Sequence, residues 1–239
     1  MAIRPVDIAR RLNISTTTLR KYEEIGLLPP VPRSASGYRV YTHEHVAYFI
    51  CIREMLLGFD LTRISRILSE VMKKRIDTAL WMANKEQAKL YQERIISKKI
   101  ISNLGQATEQ KKKYSGLITI NEVSRETGVS TTTIRYWDKI GLISPERNAA
   151  NNYRMFTPLH IKQILIIYAL KFTFQAKGQK HFIALIKDAL KEFDYNDRNR
   201  ISAMKNDIEK YLNKVNRAQI RGVAALYDLC IQVEKNQFI

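Results

Sequence analysis

The chain has only two cysteines in 239 residues, Cys51 and Cys230, too few and too far apart for a disulfide framework or a structural zinc site. Cys51 lies in the apolar stretch Phe49–Ile52 and Cys230 beside Leu229, so both read as core residues rather than sensors. No run of 18 or more uncharged apolar residues occurs, and Met1 to Leu12 carries three arginines and an aspartate. Membrane-spanning and secretory readings are therefore poor, and a cytoplasmic address is expected. Histidine is scarce too. His43 and His45 stand two apart at a helix start, where they do not share a face, and His160 and His181 have no ligand cluster in sequence. There is no glycine-rich phosphate loop, no acidic pair with a supporting histidine and no nucleophile elbow, so a non-enzyme without cofactor or metal is expected. Acidic residues are few as well: 23 Asp+Glu against 40 Lys+Arg leave a net charge of +17 and a pI near 9.9. That balance points to a polyanion, or less well to an anionic membrane surface, for which no strongly amphipathic basic helix is evident.

The excess charge is shared. Up to Ser115 there are 21 basic and 11 acidic residues, and beyond it 19 and 12. Sliding the sequence against itself explains the division. At an offset of 115, Ser15–Thr42 and Ser130–Thr157 match without a gap at 13 of 28 positions, and Leu19/Ile134, Tyr22/Trp137, Glu23/Asp138 and Tyr41/Phe156 exchange like for like. A duplicated unit of about 115–124 residues is the simplest reading.

Each copy has the local signals of the same motif. Thr119 and Glu122 form a capping-box pattern opening a helix that ends near Gly128, and the first copy starts its equivalent with Pro5. Ser15 and Ser130 are N-caps for a second helix, ended by Gly26 and Gly141. Two helices across so short a turn have helix-turn-helix spacing. Gly37–Tyr41 and Asn152–Phe156 then alternate as a short strand, entered by residues that tolerate positive φ, which makes a wing. Thr42 and Thr157 cap a further helix. Long proline-free helical segments follow, about 71–113 and 196–235, the second with a seam at Ile201, Met204, Ile208, Tyr211, Val215 and Ala218.

The run Thr18–Leu28 followed by Gly37–Thr42 resembles the DNA-binding domain of the MerR family of bacterial transcription regulators. The resemblance covers about residues 3–68 and recurs over 118–172. The second copy departs from the pattern with Trp137 for the family's tyrosine, Asn152 for its wing glycine and Thr173 where the first copy has Gly58. The cysteine pattern of metal-sensing members is absent. Family members usually place a long coiled-coil helix and an effector-binding domain after one head; here a second head and a second long helix stand in that region. The expected fold is therefore mainly α: a winged helix-turn-helix domain at 1–70, a long helix and linker at 71–115, a second winged domain at 116–192 and a C-terminal long helix at 193–239, with the two long helices forming an antiparallel coiled coil. A linker of a few residues from Lys113 to Thr119 suits a single-chain pseudo-dimer, favoured over a homodimer with four heads.

The expected DNA-contacting residues are Thr16, Thr17, Arg20, Lys21 and Tyr22, with Thr131, Thr132, Arg135, Tyr136 and Trp137 in the second copy. They fall on the first turns of the second helix of each motif, where side chains reach base edges and the helix dipole favours phosphate. Tyr38, Arg39, Tyr153 and Arg154 lie on the wings, positioned for backbone or minor groove. Tyr22 and Trp137 are equally well read as packing residues, and Glu23 and Asp138 as local electrostatics. Because Lys21 aligns with Tyr136 and Arg33 with Asn148, the expected site is an imperfect inverted repeat in double-stranded DNA. The resemblance implies a transcription regulator, with RNA polymerase at the promoter as a further partner. The alternatives are an architectural or segregation DNA-binding protein, and a multidrug-sensing regulator with an aromatic pocket lined by Trp81, Tyr91 or Tyr168.

Overall fold

The computed structural model of the protein describes residues 3–105, 116–176, 183–194 and 197–238. These hold ten helices and three short strands, and separate into two compact units: Met1–Leu90 with Lys214–Ile239, and Tyr91–Asn213. The expected segments 71–115 and 193–239 are thus each divided between the units.

In the first unit, α1 (Pro5–Arg11) begins with Pro at its first position, where a missing N–H costs nothing. Asn13, at φ 51°, turns the chain into α2 (Thr16–Glu24), whose N-cap Ser15 accepts from the Thr18 N–H at 3.1 Å. Gly26, at φ 70°, takes the left-handed conformation that ends α2. Helices α3 (His43–Met55) and α4 (Leu61–Met72) follow, and Asp60 caps α4. Leu19, Tyr41, Phe49, Ile52, Met55 and Ile64 form one core with Ala79 and Ala83 of α5 (Ile76–Gly105) and Leu226, Leu229 and Cys230 of α10 (Arg198–Lys235). Arg221 of α10 bridges to Glu54 at 2.9 Å. Gly58, in the α3–α4 turn, lies directly on α10: a Cβ there would meet Gln219 N at 2.6 Å and the Ala218 carbonyl carbon at 2.8 Å. The Gln219 amide also donates to Gly58 O at 3.2 Å.

In the second unit, β1 (Ile118–Thr119) leads into α6 (Ile120–Thr127). Its capping box forms: Thr119 Oγ1 and N donate to Glu122 Oε2 at 2.7 and 2.8 Å, while Glu122 N donates to Thr119 Oγ1. Helix α7 (Thr131–Lys139) is capped by Ser130, β2 (Glu146–Arg147) and β3 (Arg154–Phe156) make the wing, and α8 (Pro158–Ala176) and α9 (Ile183–Lys191) complete the head. The sheet is antiparallel in the order β1-β3-β2. Residues 91–105 of α5 and 198–213 of α10 belong to this unit, where Tyr211 stacks on Phe172 and Glu93 bridges to Lys171.

Three expectations are corrected. The strand read at Gly37–Tyr41 is reduced to isolated bridges, Ile3 with Tyr41 and Arg33 with Arg39. Val40 N donates to Pro32 O at 2.9 Å, but Pro32 has no N–H to return, whereas Glu146 in the second wing does pair with Met155. The first long helix starts at Ile76 rather than near 71, because α4 runs to Met72 and Lys74 breaks the chain at φ 59°. The third concerns alignment: Arg33 answers to Arg147, not to Asn148. Arg33 pairs with Arg39 as Arg147 pairs with Arg154, so the second wing is one residue longer. Residues 106–115, which include the start of the linker to Thr119, and His181 lie outside the described residues.

Candidate nucleic-acid interface

The two heads hold their wings by the same device. Glu23, on the last turns of α2, receives Arg39 Nε at 2.5 Å and stands 3.7 Å from Arg33. Asp138, at the matching place on α7, receives Arg154 Nε at 2.7 Å and stands 3.4 Å from Arg147. Each acid is therefore clamped between two wing arginines, and the hydrogen bond to Glu23 holds the Arg39 pKa above its ordinary value. A second guanidinium contact, Arg33 to Gly37 O and Arg147 to Asn152 O at 3.5 Å in both cases, fixes the turn of the wing. Gly37 at φ 81° and Asn152 at φ 57° supply the left-handed turn itself.

With α2 and the wing tied together, the first head presents a groove of about 430 Å³ between the start of α1, the start of α2 and the wing. Thr16, Arg20, Tyr38 and Arg39 line it, joined by Arg4 and Arg33. Thr17 and Lys21 are exposed but lie outside the lining. Against Asp7 and Glu23, which pair with three of them, the four arginines leave the groove net positive, a field of the kind that attracts phosphate. Arg4 and Arg33 are additions to the sequence reading. Arg4 precedes Pro5 and its side chain is paired with Asp7 at 2.7 Å, and the ungapped alignment sets Arg33 against Asn148, one residue out of step. In the second head, Thr132, Arg135, Tyr136 and Tyr153 are exposed and Thr131 and Arg154 half-buried. Thr119 stands where the first head has Arg4, so this head's face is the less basic.

Tyr22 and Trp137 are buried at 6% and 7% exposure, Tyr22 against Phe49, which places both in the core behind their helices. Arg39 and Arg154 are engaged by Glu23 and Asp138, so their reach is set by the clamp. Thr42 and Thr157 donate backbone N–H to His45 and His160 Nδ1 at 3.0 Å, which gives these histidines a role in capping their helices. Among the described residues no group of three or more His, Cys, Asp and Glu could hold a metal. Burial pushes the Cys51 thiol well up and the Cys230 thiol up to about 11, so both stay protonated and unreactive.

The family description "MerR family regulatory protein" matches residues 4–41 and again residues 119–156, the two clamped heads with their wings. The chain carries two MerR-type domains in tandem. The relatives it resembles include the mercuric resistance operon regulatory protein of Bacillus cereus, 35% identical over 30% of this chain and 54% of the relative. The HTH-type transcriptional regulator CueR of Salmonella typhi is 33% identical over 26% and 46%. An uncharacterized HTH-type transcriptional regulator, YyaN of Bacillus subtilis, is 43% identical over 26% and 46%. The chain thus spans about half the length of the curated relatives it matches. No solved structure gives a significant match. Among the described residues no helix is long and apolar enough to cross a membrane. Residues 4–41 carry 7 basic against 3 acidic residues and 119–156 carry 5 against 4, so most of the excess positive charge lies outside the two matched segments.

Proposed function

We propose that this protein is a sequence-specific regulator of transcription whose two MerR-type heads read the unequal halves of an inverted repeat in double-stranded DNA. In the first head the arginine-lined groove embraces the backbone, while Thr17, Arg20 and Lys21 of α2 enter the major groove. In the second, Thr132, Arg135 and Tyr136 of α7 take that place with fewer cations around them. One head thus binds mainly by charge and the other depends more on base contacts. RNA polymerase at the same promoter is the partner through which binding acts.

One chain suffices for both half-sites in this reading, and the observation that carries it is the make-up of the units. The first draws on residues 76–90 and 214–235 of the two long helices, the second on 91–105 and 198–213. The early part of one helix thus keeps company with the late part of the other, as an antiparallel pair within one chain requires.

Selection of bound sequences from a random duplex pool with the full chain tests the reading. Two related but unequal half-sites, centred near one helical turn apart or a multiple of it, are expected. Arg20→Ala is expected to lower affinity by about 1–3 kcal/mol at the better-read half. Binding without sequence enrichment favours the architectural alternative, and no binding at all overturns both.

A further inference from the structure

The second unit contains a cavity of about 460 Å³ behind α7, which shares Tyr136 with the DNA-facing side of that helix. It originates where the heads diverge. In the first, α3 ends at Met55, Gly58 turns the chain, and α4 lays Ile64, Ile67, Leu68 and Val71 into the core. In the second, Thr173 occupies the position of Gly58, α8 runs on to Ala176, and α9 contributes one buried residue, Ile186. The space left behind α7 has aliphatic walls, Ile96, Val129, Ile167 and Ile186 among the described residues, and aromatic ones, Trp137 and Tyr168. Its size is that of a small-molecule site.

Two opposite charges stand on the wall. Lys171 Nζ and Glu93 Oε1 are 3.5 Å apart, longer than a good charge-assisted hydrogen bond. The lysine side chain is the more buried, 27% exposed against 41%, and its ammonium lies over the rings of Tyr168 and Phe172 at 5.5 and 5.1 Å. Glu93 can therefore turn to solvent while Lys171 is held in place. Ser130 and the start of α7 open onto the same space, adding the positive end of a helix dipole. Burial raises the Tyr168 phenol, which stays a neutral donor.

We propose that this cavity binds a small carboxylate with an apolar or aromatic body, the body between Trp137, Tyr168 and Ile186 and the carboxylate on Lys171 in place of Glu93. Thr133 and Trp137 are on α7 and Ser130 caps it, and its outer face carries Thr132 and Arg135, so occupancy bears on the helix that faces DNA. That consequence rests on the reading above; the binding itself does not, and is measured without DNA.

The chain has two tryptophans, and Trp81 is 71% exposed, so a Trp81→Phe full-length protein reports on Trp137 alone. Titration with 4-phenylbutyrate is expected to change its emission saturably. The neutral 4-phenylbutanamide should bind at least about tenfold more weakly, as should the acid to Lys171→Met, with recovery in Lys171→Arg. The acid-to-amide comparison needs no change at Lys171 and so decides the matter if that variant fails to fold. Tighter binding of 4-phenylbutylamine would place a cation on Glu93 and overturn the assignment, as would no saturable response to any of the three.

Discussion

Replacing Gly58 with alanine adds one methyl group at the closest contact in the first unit. The new Cβ would lie 2.6 Å from Gln219 N, 2.8 Å from the Ala218 carbonyl carbon and 2.9 Å from Gln219 Cα, all backbone atoms of α10 that cannot swing aside. Relief requires the α3–α4 turn or α10 to retreat by about 0.5–1 Å, since ordinary contact starts near 3.5 Å. That retreat strains the hydrogen bond from Gln219 to Gly58 O and opens the layer where a Cβ on Gly222 would touch Met55 Cα at 3.0 Å. Overpacking costs about 1–3 kcal/mol, and a weakened hydrogen bond about 1 more. For a chain of this size the melting temperature should fall by about 4–16 °C. Thermal unfolding followed by far-ultraviolet circular dichroism measures it, with urea titration for the free energy. Gly116→Ala is the matched control: a Cβ there meets nothing within 4 Å, and no comparable loss is expected. If Gly58→Ala unfolds within 0.5 °C of the parent, the packing of the first head on the C-terminal helix is wrong.

Two further changes probe the heads themselves. Glu23→Gln leaves Arg39 half-buried without its charge partner, so the first head should lose about 1–2 kcal/mol in urea unfolding and Asp138→Asn should act alike on the second; an unaltered midpoint in both refutes the clamp. Hydrogen bonds from Thr119 hold the Glu122 carboxyl below its ordinary pKa. Its contribution is present above the unfolded carboxylate value and disappears as pH falls through the lower folded one. Amide protection factors at Ile120–Val123, corrected for the intrinsic pH dependence of exchange, should fall in acid, an effect that Glu122→Gln removes.

The repeated architecture was legible because its signals are local. Ser15 and Ser130 announce their helices within three residues, and the offset of 115 exposes the duplication without any structure. What escaped depends on partners distant in sequence. The counterpart of Arg33 is hidden because one extra residue in the second wing is invisible to an ungapped match, and Arg4 joins the groove only after the wing folds back beside α1. Ring chemistry alone suggests Trp81 and Tyr91 as pocket residues, yet they are 71% and 58% exposed, while Tyr168 does line a cavity. That cavity follows from what α9 fails to bury, which no single residue declares.

The central claim is that one chain supplies both halves of the DNA-reading machine. Sedimentation equilibrium of the protein alone, and then with a duplex carrying both selected half-sites, tests it most directly. A free mass of 27.8 kDa and one chain per duplex are expected. A free dimer, or two chains on one site, would contradict it.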